Sequence, residues 1–130
     1  MSKRILVVDD EVPIADLLSQ ALADEGYETR KVVQSLRVYD AVRDFRPDLI
    51  LLDLMMPYLS GHDELQLISM DPERDQQIPV IVVTAMVDAK RDEATLQQFG
   101  VREIVLKPFD LNALVRLIKR TIGEPEGAVL

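Results

Sequence analysis

The sequence predicts an α/β fold, with five strand–helix units wound on both faces of one parallel sheet. Three observations carry this. Short aliphatic runs alternate with longer amphipathic stretches five times along 130 residues. The runs are continuous in hydrophobicity, as strands covered on both faces require. Finally, hydrophobic residues make up 48% of a chain of single-domain length, enough for a real core.

The first run, Ile5 to Val8, is β-branched and short, which reads as a buried strand. Ile14, Leu17, Leu18, Ala21 and Leu22 then keep helical spacing, stopped at Glu25 and Gly26 with glycine in the C′ position. A weaker strand follows at Thr29 to Val33. Val38, Ala41, Val42 and Phe45 form the second helical stripe, and Pro47 ends it. Leu49 to Leu52 is the third strand; Leu65, Leu67 and Ile68 suggest a third helix, and Asp71 to Pro79 reads as a polar loop. Val80 to Val83 is the fourth strand, followed by a weakly apolar helix from Ala89 to Phe99 that Gly100 ends. Glu103 to Leu106 is the fifth strand. Leu111, Leu114, Val115, Ile118 and Ile122 are the last stripe, with Asp110 as N-cap. Right-handed crossovers complete a doubly wound (βα)5 arrangement. Residues 1–123 are expected to form the domain. Residues 124–130 are expected to be a short tail that frays or begins a linker.

Composition excludes several function classes. The net charge is −8 and the sequence pI about 4.6. Direct nucleic-acid binding wants a basic face, and an anionic membrane surface wants the same. With no cysteine, the chain has no disulfide, thiol nucleophile or Cys-based zinc site. One histidine, His62, cannot build a His-rich metal site and reads as a solvated loop or helix-start residue. No apolar run is long enough for a signal peptide or a membrane span, so a cytoplasmic protein is expected.

In such a sheet a site lies beyond the carboxyl ends of the strands. The first strand ends in Asp9 and Asp10, the third in Asp53, the fourth in Thr84 and the fifth in Lys107. Each has a plain structural reading: an N-cap, a strand former or a solvated lysine. A sheet order of 2-1-3-4-5 gathers all five on one rim. Two unit charges 4 Å apart interact by about 4 kcal/mol at an effective dielectric near 20. Three clustered carboxylates therefore call for protonation or for a cation. Mg²⁺ suits hard oxygen ligands, and a lysine and a hydroxyl beside it are built to stabilise a phosphoryl group in transfer. With no histidine or cysteine at the rim, a carboxylate is the available nucleophile, giving an aspartyl phosphate.

"ILVVDDE", "DLILLDLMMPYLSG", "VIVVTA" and "IVLKPF" together resemble the four signature blocks of the response-regulator receiver domain of two-component signalling. The likeness runs over about residues 3 to 122 and implies a flavodoxin-like fold. It implies that Asp53 is the phosphoacceptor, served by a sensor histidine kinase or histidine phosphotransfer protein. Asp10 would ligate Mg²⁺ directly, Asp9 mainly through water, and the backbone carbonyl of Met55 would be a further ligand. Thr84, Ala85 and Lys107 would bind the phosphoryl group, and the Lys107–Pro108 bond would be cis. Pro57 and Gly61 would shape the loop after Asp53. The partner surface for a downstream target or output domain would be the face of the fourth helix, fifth strand and fifth helix; a homodimer is left open.

Three departures from the pattern stand out. Ile104 occupies a position that is commonly aromatic, so an aromatic rotamer switch is not expected. The second strand and helix lack the common Gly-x-x-Ala pattern. Met55 and Met86, two residues after Asp53 and Thr84, offer no group to orient an attacking water. The expected function is a phosphorylation-activated binding switch without a separate enzyme activity. The competing readings are a small Mg²⁺-dependent phosphatase and a phosphorylation-independent docking module. The first usually carries a second Asp where this chain has Met55. The second usually loses acids or the lysine that this chain keeps.

Overall fold

The computed structural model describes residues 2–55, 65 and 77–126. Strands β1 (Arg4–Val8), β2 (Glu28–Val32), β3 (Leu49–Leu52), β4 (Val80–Thr84) and β5 (Val101–Leu106) form one sheet in the order 2-1-3-4-5. Every neighbouring pair is parallel. The flavodoxin-like doubly wound fold expected from the sequence is thus present.

Continuous hydrophobicity in the central strands has a direct structural counterpart. Successive side chains of a strand point to opposite faces. Leu6, Val8, Ile50, Leu52, Val80 and Val82 pack with Val38, Val42, Phe45 and Leu96 on one face. Ile5, Val7, Leu49, Leu51, Ile81 and Val83 pack with Ala15, Leu18, Leu22, Leu114 and Ile118 on the other. Helix α1 (Val12–Asp24) and the C-terminal helix (Leu111–Ile122) supply the second set, while α2 (Val38–Phe45) and the short helix Glu93–Gln97 supply the first. Truncating one such buried aliphatic to alanine costs about 2–5 kcal/mol.

Helix ends follow the expected chemistry. Asp110 caps the C-terminal helix, its side chain accepting the Ala113 N–H at 3.1 Å. Gly26, at φ 108, takes the left-handed position after α1. After α2 that position falls to Arg46, at φ 52, because Pro47 disfavours helical geometry in the residue before it.

The fourth helix needs adjustment, and the third helix and the tail are only partly described. The fourth helix, expected over Ala89 to Phe99, is a 3-10 segment (Val87–Asp92) followed by a single α-helical stretch (Glu93–Gln97). Those two elements bury only Ala89 and Leu96 and have no side-chain N-cap, whereas the C-terminal helix buries as few residues but is capped by Asp110. The third helix lies outside the described residues except for Leu65, which is helical and fully buried. The start of the tail and the end of the last helix are bonded back to the N-terminal half of the chain. The Lys3 N–H donates to the Pro125 carbonyl at 2.7 Å, Ser2 forms an antiparallel bridge with Glu126, and the Lys3 ammonium donates to the Ile122 carbonyl. The Tyr27 hydroxyl donates to the Gly123 carbonyl at 2.6 Å.

Candidate functional site

The parallel sheet brings the ends of β1, β3, β4 and β5 together. Asp9 and Asp53 extend the backbone ladder by one residue each: the Asp9 N–H donates to the Val32 carbonyl at 3.1 Å and the Asp53 N–H to the Val8 carbonyl at 3.0 Å. The Lys107 N–H donates to the Thr84 carbonyl at 2.8 Å. These bonds place four side chains of the rim, those of Asp9, Asp53, Thr84 and Lys107, at strand ends rather than on loops.

Asp53 is 4% exposed, Asp9 2% and Thr84 0%. Asp53 Oδ1 accepts from Thr84 Oγ1 at 3.0 Å and from the Met55 N–H at 2.9 Å. Asp53 Oδ2 accepts from Lys107 Nζ at 3.0 Å. Lys107 also donates to Asp9 Oδ2 at 2.8 Å, and Asp9 Oδ1 accepts the Glu11 N–H at 2.9 Å. Thr84 is itself oriented, its Oγ1 accepting the Met86 N–H at 3.2 Å.

Electrostatics follow from this packing. Burial pushes the Asp9 carboxyl above its ordinary range, against the pull of Lys107 and of the Glu11 N–H. Burial alone would lower the Lys107 ammonium, but its hydrogen bonds to Asp9 and Asp53 outweigh that and hold it well above its ordinary value. Lys107 is therefore a fixed positive charge at neutral pH.

Asp9, Asp10 and Asp53 each offer a carboxylate oxygen, and these oxygens lie within 4.8 Å of one another. Asp10 is half-buried, and among the described residues its side chain makes no hydrogen bond or ion pair. Three hard oxygens, one of them unpartnered, fit a divalent cation of the Mg²⁺ type. One lysine shared by two buried acids leaves excess negative charge for such a cation to neutralise.

Of the residues singled out from the sequence, Asp9, Asp10, Asp53, Thr84 and Lys107 meet at this rim. Met55 contributes its N–H to Asp53, and its side chain is 54% exposed. Ala85 is exposed directly after Thr84. Ile104 is buried at 4%, within the core layer of α2. The Lys107–Pro108 bond is cis. Pro57, Gly61 and His62 lie outside the described residues. Sequence reasoning missed Glu11, whose carboxylate lies 3.5 Å from Lys107 Nζ. The signal was there in "DDE", but the strand-end criterion stops at Asp10.

A doubly wound sheet with an acid-and-lysine rim is the architecture of a phosphoacceptor module. Residues 5–119 match the response regulator receiver domain, and the chain belongs to that family. It is 34% identical over 126 residues to the DNA-binding response regulator MtrA of Mycolicibacterium smegmatis, an alignment covering 97% of this chain and 53% of that protein. The Mycobacterium tuberculosis MtrA is likewise 34% identical, over 92% of this chain and 50% of its own length. The chain thus spans about half the length of the curated relatives it matches. Among solved structures, a CheY-like receiver domain protein from Methanospirillum hungatei is similar with a TM-score of 0.82 at 26% identity, covering 94% of each chain. NtrX from Brucella abortus is similar at a TM-score of 0.77 and 30% identity, over 94% of this chain and 27% of that one.

Proposed function

We propose that this chain is a phosphorylation-activated signalling switch whose acceptor is Asp53. The observation that carries the reading is the Asp53 carboxylate itself. It is nearly buried, held by Thr84 and Lys107, and grouped with two further acids. The donor is a histidine kinase or histidine phosphotransfer protein. An Asp53 oxygen attacks phosphorus, the phosphorus–nitrogen bond of the donor imidazole breaks, and the imidazole leaves with the electron pair. Lys107 then donates a hydrogen bond to a phosphoryl oxygen, and the Thr84 hydroxyl turns to another. The Ala85 N–H lies next to Thr84 as a further donor.

Asp9, Asp10 and Asp53, with the Met55 carbonyl, would hold Mg²⁺, which offsets the negative charge of acceptor and phosphoryl group. Phosphorylation adds about −1.5 to −2 charge. That charge biases a pre-existing equilibrium of the receiver rather than refolding it. The responding surface is the fourth-helix, fifth-strand and fifth-helix face. The short 3-10 and α-helical stretch over 87–97 is part of that face, with Ala89 and Leu96 as its buried contacts. A protein target or an output domain reads this face in the cytoplasm, without direct nucleic-acid contact by the receiver and without membrane association. The module is taken as residues 1–123, it has no activity on a separate substrate, and its phosphate has an unassisted lifetime. A phosphatase reading needs a second acid where Met55 stands.

Intact-mass analysis after incubation with acetyl phosphate and Mg²⁺ tests the reading. One added phosphoryl group is expected on the parent chain and none on an Asp53→Asn variant. No gain on the parent would overturn it.

A further inference from the structure

Glu11 has no part in the roles described so far, yet its carboxylate stands 3.5 Å from the Lys107 ammonium. Lys107 also reaches Asp9 Oδ2 at 2.8 Å and Asp53 Oδ2 at 3.0 Å. An ammonium has three N–H donors, and three carboxylates surround this one. The two closer ones are buried, with side chains 3% and 5% exposed, whereas the Glu11 side chain is 58% exposed, on the solvent side of the cluster. The Glu11 backbone is fixed by its N–H bond to Asp9 Oδ1 at 2.9 Å, so the side chain starts from a defined point.

A cation among Asp9, Asp10 and Asp53 would compete for the oxygens that Lys107 holds. Lys107 then needs another anion within reach, or its own charge opposes the cation. Among the described residues, Glu11 is the one carboxylate in contact with Lys107 that does not belong to the three-acid group.

We propose that Glu11 is a positioning residue that draws Lys107 off Asp9 and Asp53 as the cation binds. It then holds the ammonium on the solvent side of the cluster until the phosphoryl group takes it over. The proposal rests on the Mg²⁺ reading given above. It involves an exchange of ion pairs only, with no covalent bond made or broken.

A double-mutant cycle read by calorimetric titration with Mg²⁺ alone tests it, on the parent chain, Glu11→Gln, Lys107→Met and the double variant. Each variant is first checked for a cooperative thermal transition. In the parent background Glu11→Gln is expected to raise the Mg²⁺ dissociation constant about three- to fivefold, the range for an ion pair with one exposed partner. In the Lys107→Met background the same change is expected to shift it less than about twofold, within the scatter of independent sites. An equal loss in both backgrounds would overturn the proposal, because Glu11 would then act on the cation directly. No loss in either background would overturn it as well. A parent chain that binds no Mg²⁺ removes the underlying reading together with the role of Glu11; Mg²⁺ binding without coupling removes the role alone.

Discussion

Tyr27 shows how one side chain ties distant parts of the chain together. It is 3% exposed, and its hydroxyl donates to the Gly123 carbonyl at 2.6 Å. Burial raises its ionisation above the ordinary value of 10.0. Below pH 10 the hydroxyl is protonated in both folded and unfolded chains, and its contribution is fully present. Above that pH the unfolded chain ionises first, so stability falls until the folded hydroxyl ionises too. Tyr27→Phe is expected to cost about 1 kcal/mol at pH 8 and to flatten the alkaline decline. Urea denaturation between pH 8 and 11 measures both effects. At this scale the site was legible where a polar residue closes an aliphatic run, as Asp9, Asp53, Thr84 and Lys107 do. Glu11 was not, because it lies beyond the acids that close the first aliphatic run, and only the assembled sheet sets its 3.5 Å separation from Lys107.

The elements were legible where a buried stripe or a side-chain cap marks them. β3 and α2 lie where their apolar residues put them, at Leu49–Leu52 and Val38–Phe45. The segment 87–97 has two buried anchors, and there helical spacing alone misjudged the geometry. Its far end turns into β5 through Gly100, at φ 91, where an added Cβ would stand 2.9 Å from the Ile78 carbonyl oxygen. Both the left-handed backbone and the close approach exclude a side chain there. Gly100→Ala is expected to destabilise the chain by about 1–3 kcal/mol. A lowered urea midpoint with an unchanged slope would report this; an unchanged midpoint would refute it.

Across the whole molecule, fold and site oppose each other. The sheet buries Asp9 and Asp53 with a single lysine between them, and burial disfavours the charged form of Asp9. The metal-free chain therefore carries a destabilising cluster that a bound divalent cation would relieve. Mg²⁺ at a hundred times its dissociation constant is expected to add ~2.7 kcal/mol. For a chain of this size that raises the midpoint by about 8–12 °C. Scanning calorimetry should show this rise, its reversal by EDTA and its loss in Asp10→Asn.

The opposite end of the sheet has a different consequence. Ser2 and Glu126 are paired there, and Lys3 is bonded to Pro125 at 2.7 Å. Residues 2 and 126 are thus close enough to be joined by a short glycine-rich linker. Such a chain could be opened elsewhere, between the exposed Val33 and Gln34. A circular permutant cut there and resealed across this seam is expected to unfold cooperatively in urea like the parent, because the connection merely replaces a contact the native chain already makes.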